Sequence, residues 1–243
     1  MWVPHYAKNG DVEAGTGALY PIMLDTPELR WSFIRKVYCI LAVQLLCTVA
    51  VAAVVVSVRP IANFFVTTSE GLGLYIFIVI LPFIVLCPLF YYYQKHPVNF
   101  ILLGLFTVAF SMAIGIICAF TSGMVILEAA ILTAVVVLSL TVYTFWAASR
   151  GKDFSFLGPF LFSSLIALIV FGLIQMLFPM GRITTMIYGC LAALIFSAYI
   201  VYDTDNLIKR YSYDEYIWAA VALYLDIINL FQMLLLVFRA AET

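Results

Sequence analysis

The chain has 243 residues, of which 65% are hydrophobic and 10% charged, with 12 Lys and Arg against 13 Asp and Glu. A soluble domain carries about 25% charged residues, so this composition, with a mean hydropathy of +1.11, excludes both a water-covered globule and a disordered chain. A net charge of −1 leaves no basic field to hold phosphates, which excludes a nucleic-acid binder.

What remains is an all-α polytopic membrane protein. Residues 1–36 are polar and mixed in charge and form an N-terminal tail without the pattern of a cleavable signal. From residue 37 the chain turns apolar. Runs of about 20 apolar residues cross a ~30 Å hydrocarbon core. Seven reach that length, at 37–58, 71–93, 98–120, 124–148, 155–178, 183–204 and 216–238, with 239–243 as a short C-terminal tail. Thr121-Ser122-Gly123 and Pro179-Met180-Gly181-Arg182 are so short that the helices they join must be antiparallel neighbours. The prediction is one seven-helix transmembrane bundle spanning 37–238. Barrel strands would alternate in polarity over about 10 residues, and these runs do not.

Cys39, Cys47, Cys87, Cys118 and Cys190 all lie in apolar runs without a CxxC pair, and read as small buried hydrophobes. His5 and His96 fall in the tail and in a short loop, so no helix-borne zinc pair is expected. No GxSxG or phosphate-cradling loop occurs, and nothing here points to an enzyme or a resident cofactor. Tyr91-Tyr92-Tyr93 at a span end suits an interface anchor.

Positive charge sets the orientation. Nine of the twelve bases (Lys8, Arg30, Arg35, Lys36, Lys95, Arg150, Lys152, Lys209 and Arg210) fall on the N-terminal side, and Arg59, Arg182 and Arg239 on the other. This bias puts the N-terminus in the cytosol and, after seven crossings, the C-terminus on the far side. A re-entrant or shallow seventh segment would return it.

The predicted spans hold three acids and no base: Glu128, Asp203 and Asp226. A charged carboxylate at mid-membrane costs about 2.5–3.5 kcal/mol on insertion scales, so such groups face the interior and mark a pathway. Without a base they must be protonated, share a proton, or bind a cation. In the last span Ala219, Ala222, Asp226, Asn229 and Met233 recur every three or four residues, a narrow small-and-polar stripe. Tyr199 and Asp203 share a face of the sixth. Ser212-Tyr213-Asp214-Glu215 reads as a capping box that starts the final helix. From that start Asp226 lies about 20 Å along the helix, and Asp203 lies about 12 Å from a sixth-helix end at Tyr211. Hairpin geometry alone leaves the pairing of the two aspartates open. Glu128 belongs toward the far mouth, where hydration at the interface is the simpler account.

These residues resemble a known family. Leu29-Arg30-Trp31-Ser32-Phe33-Ile34-Arg35-Lys36-Val37-Tyr38, Leu127-Glu128-Ala129, Leu140-Thr141-Val142-Tyr143-Thr144, Tyr202-Asp203-Thr204 and Leu223-Tyr224-Leu225-Asp226-Ile227-Ile228-Asn229-Leu230-Phe231 look like the lifeguard branch of the transmembrane Bax inhibitor motif family, in its plant form. The resemblance covers about residues 28–239. It implies a seven-helix protein of internal membranes (endoplasmic reticulum, Golgi or vacuole, with the plasma membrane as an alternative) that suppresses cell death and modulates calcium release. It also implies a pH-sensitive calcium leak governed by an aspartate pair, here Asp203 and Asp226. The implied partners are the lipid bilayer, calcium ions, protons and cell-death regulatory membrane proteins. Bacterial relatives add an arginine near the end of the second helix. Phe90-Tyr91-Tyr92-Tyr93-Gln94 has no base there and only Lys95 follows, so gating is expected to rest on the acids.

The expected function is a proton-gated calcium leak with Asp203, Asp226, Glu128 and Asn229 as ion- or proton-binding groups. The two aspartates would meet calcium only transiently, because that ion normally takes six to eight oxygens. Two rivals stand beside it. One is a non-conducting membrane protein whose acids only fix helix packing. The other is an intramembrane aspartyl protease, against which Tyr224-Leu225 precedes Asp226 in place of a Gly-x-Gly run.

Overall fold

The computed structural model describes residues 27–178 and 181–242, so His5, Lys8 and the rest of 1–26, Pro179, Met180 and Thr243 lie outside the described residues. The described residues form helices α1 (Pro27–Ser57), α2 (Arg59–Thr67), α3 (Ser69–Tyr92), α4 (Val98–Ala119), α5 (Gly123–Ser149), α6 (Leu157–Leu177), α7 (Arg182–Lys209) and α8 (Tyr216–Glu242). No strand occurs among them. Seven of the helices are long and apolar enough to cross a membrane, and only α2, with 9 residues, is not.

α8 is the central helix, packed against α7, α5 and α1, while α4 pairs with α1 and α3 and α6 leans on α7 at the edge. Its small residues allow this: Ala219 and Ala220 are fully buried, as are Ile217 and Tyr224 beside them. The helix is unbroken, and its last turn reaches the loops at the far end. Ser122 Oγ, at the N-cap of α5, donates to the Glu242 carboxylate at 3.0 Å, and Arg182, at the start of α7, donates to the Ala241 carbonyl at 2.6 Å. α8 therefore runs the full length of the bundle rather than turning back.

The bundle's outer face is as apolar as its interior, with Val43, Leu138 and Leu194 each about two-thirds exposed. Lipid replaces water around such a surface, so an apolar side chain gains no preference for the core. The cysteines make the correction concrete. Cys118 is buried and Cys47 partly so, but Cys39, Cys87 and Cys190 are exposed, and all five are free thiols. They are not uniformly the buried hydrophobes that their sequence context suggests.

Two further differences concern the first span. α1 begins at Pro27, inside the segment read as tail, because Phe33, Ile34 and Val37 sink into the main core and hold the added turns against the bundle. The connector after it holds α2, with Pro60 near its N-terminus and with Ala62 and Phe65 buried, Phe65 against Val55 and Ile116.

Candidate functional site

α7 and α8 form the most extensively packed hairpin, and the two aspartates sit inside it. α7 stops at Lys209, two residues before Tyr211, and the chain enters α8 through a 3-10 turn at Tyr213–Glu215. The Glu215 carboxylate accepts from the Ser212 N–H at 2.8 Å, as a capping box requires, and this sets the entry angle. With Ala219 and Ala222 offering no bulk on the α8 stripe, the helices approach closely enough for the Asp203 and Asp226 carboxyls to lie within hydrogen-bonding reach of each other. The spacing along the hairpin had left this contact open; helix packing closes it.

The pair is graded in depth. Asp203 is half-buried and accepts a bond from Asn206 Nδ2 at 3.3 Å, whereas Asp226 behind it is 6% exposed. Asp226 Oδ2 is buried with no hydrogen-bond donor. Among the described residues neither carboxyl forms an ion pair. One proton held between the two groups would supply the missing donor and remove one of two facing negative charges. Tyr199 and Tyr211 lie close enough to feel the charge of both acids. Tyr211, in the loop between the two helices, has its phenol pushed well up, first by burial and then by those acids, so it remains a hydroxyl.

The other candidates fare differently. Asn229 is half-buried one turn beyond Asp226 on the same face of α8. Glu128 is exposed near the start of α5, away from the pair. Among the described residues no three His, Cys, Asp or Glu side chains converge as a metal cage.

The sequence missed a second polar layer beneath Asp203. Asp205 and Lys209 form a buried ion pair, so the interior does contain a base, but it is committed to its own acid. Lys209 also donates to the Lys152 carbonyl, Phe154 N–H donates to Asp205 Oδ2 at 3.2 Å, and Arg210 meets Asp153 at 3.0 Å. These contacts clasp the α5–α6 loop onto the end of α7. Arg30 closes the same end from α1, donating to the carbonyls of Leu207, Ile208 and Tyr211 at 2.7, 2.8 and 2.6 Å.

Comparison with known proteins then assigns the chain. The family described as Inhibitor of apoptosis-promoting Bax1 matches residues 30–243. The chain belongs to the Bax inhibitor family, in its plant lifeguard branch. It is 73% identical to Protein LIFEGUARD 4 of Arabidopsis thaliana over 230 residues, 95% of this chain and 93% of that one. Mouse Protein lifeguard 4 is 34% identical over 208 residues, covering 86% and 84% of the two chains. The Golgi anti-apoptotic protein of vaccinia virus is 36% identical over 209 residues, covering 86% and 85%. In this family member the second crossing, α3, brings no base to the aspartates. Lys95 instead lies over the rings of Tyr91 and Tyr92, at 5.8 and 5.3 Å from their centroids.

Proposed function

We propose that this lifeguard protein is an integral membrane regulator of cell death that acts as a pH-sensitive calcium leak gated by Asp203 and Asp226. The observation that carries the reading is the meeting of these two carboxyls inside the bundle with, among the described residues, no base ion-paired to either. While a proton is shared between them, α7 and α8 are held together and the path is shut. A change in protonation removes that bond, and the helices separate enough for a partly hydrated cation to pass along the stripe of Ala222, Asp226 and Asn229. The half-buried Asp203 meets ions entering from the base-rich end, which the excess of Lys and Arg assigns to the cytosol. The protein then lies in an internal membrane, as the name of the vaccinia relative suggests for that protein.

The test is calcium flux against pH in liposomes holding the wild type, Asp203→Asn or Asp226→Asn. The amide introduced by Asp226→Asn can still hydrogen-bond Asp203 but cannot exchange a proton, so flux through that variant should lose its pH step. An unchanged flux–pH curve in both variants would falsify the gating role. Absence of any flux from a protein that still protects cells would favour the non-conducting reading.

A further inference from the structure

A groove of about 360 Å³ runs between α1 and α4 on the outer side of the bundle. Cys39, Val43 and Cys47 form one wall, and Phe100, Gly104 and Val108 the other. From the first to the last residue of each wall the helical rise is about 12 Å. Gly104 keeps the groove wide, since no atom lies within 4 Å of where a Cβ would stand. Val43 and Val108 are exposed at its lips, so it opens to the lipid. At the floor Gln44 and Thr107 meet through a 3.1 Å hydrogen bond, leaving the lining apolar.

One end of this slot is charged. Lys36 stands one helical turn before Cys39 and Ile40, with its ammonium 3.2 Å from the centroid of the Tyr216 ring. His96 Nε2 shares a 2.6 Å hydrogen bond with the Tyr216 hydroxyl, and its ring packs 5.3 Å from Phe100. Lys36 and His96 are both exposed, and among the described residues no carboxylate ion-pairs with either. Lys95 is adjacent in the chain. The opposite end, at Cys47 and Val108, carries no charged group. An apolar slot of chain-like length with the Lys36 ammonium and the His96 imidazole at one end fits an amphiphile with an anionic head.

We propose that this groove binds one anionic glycerophospholipid of the leaflet that meets the base-rich end, with an acyl chain between α1 and α4 and the phosphate at Lys36 and His96. The test uses the full chain in nanodiscs containing equal phosphatidylserine and phosphatidylcholine of identical acyl chains, extracted and weighed by native mass spectrometry. The wild type should retain phosphatidylserine preferentially. Lys36→Gln should cut that preference about fivefold, the effect of one surface cation. Gly104→Leu should fill the slot and reduce retention of both lipids, with an unfolding midpoint measured alongside. Lys36 is exposed, so its variant keeps the test decisive should Gly104→Leu fold poorly. Equal retention of the two lipids by the wild type, or an unaltered preference in Lys36→Gln, would each overturn the proposal.

Discussion

Lys209 and Asp205, one turn apart on α7, form an ion pair whose side chains are each 1% exposed. Their positions in the helix place them just beyond Asp203, and they bond to the Phe154 N–H and the Lys152 carbonyl of the α5–α6 loop. The pair thus ties the end of α7 to a neighbouring loop, in register for Asp203 to face Asp226. Removing one partner of a buried pair leaves the other charge stranded, at a cost of about 3–5 kcal/mol. Lys209→Met should therefore destabilise the protein by about that amount in detergent unfolding titrations. The double variant Asp205→Leu, Lys209→Met should recover most of the loss, because both charges are gone. A double variant no more stable than the single would show that the two residues do not act as a unit.

Arg30 makes a separable prediction. Its three bonds satisfy carbonyls that the end of α7 and the following loop leave without intrahelical donors, and its guanidinium lies 5.1 Å from the Phe33 ring. Lysine cannot reproduce that fork, having one ammonium for three divergent acceptors. Arg30→Lys should behave like Arg30→Ala, with faster amide hydrogen exchange at 207–213 and unchanged exchange in α4. Protection equal to wild type in Arg30→Lys would mean that charge alone, and not geometry, holds this end.

The legibility of this protein in its sequence divides by depth. Asp226 stood out because an acid in the middle of an apolar run has no simple surface explanation, and its stripe of small residues pointed inward. Asp205 and Lys209 lay beyond the predicted sixth span, where water is the default partner. Their i, i+4 spacing was the available signal, but spacing does not report burial. Arg30 was assigned to a tail because its role depends on carbonyls far along the chain, at Leu207, Ile208 and Tyr211. Cys39 and Cys190 illustrate the opposite limit. In lipid an apolar context cannot separate core from surface, so the composition that identified the spans also hid which faces they bury. The meeting of Asp203 and Asp226 depends on the crossing of α7 and α8, which helical rise alone cannot supply.

A third prediction concerns the other side of α8. The Tyr224 and Thr48 hydroxyls meet at 2.8 Å, and Ser111 Oγ lies 3.1 Å from Thr48 Oγ1, so α8, α1 and α4 share a buried polar junction. Such interhelical bonds are worth about 0.6 kcal/mol on average and about 1.7 at most, because the unfolded chain in the membrane also finds partners. A double-mutant cycle with Tyr224→Phe and Thr48→Val should give a coupling energy in that range by detergent unfolding. A coupling near zero would show that the junction is packing with incidental hydroxyls.

Gly115 provides the last prediction, one of shape rather than charge. A Cβ there would stand 2.9 Å from Val55 Cβ and 3.1 Å from Ala52 Cα, so this glycine lets α4 touch the backbone of α1. Gly104, three turns earlier on α4, has open space at the same position. Both changes to alanine add one methyl to a helix that otherwise gains from losing glycine, so propensity predicts the same benefit for each. Packing predicts opposite outcomes. Gly104→Ala should be neutral or mildly stabilising in thermal unfolding, whereas Gly115→Ala should lose about 1–3 kcal/mol as α1 is pushed outward. Equal effects of the two substitutions would show that the approach of α1 to α4 is not set by Gly115.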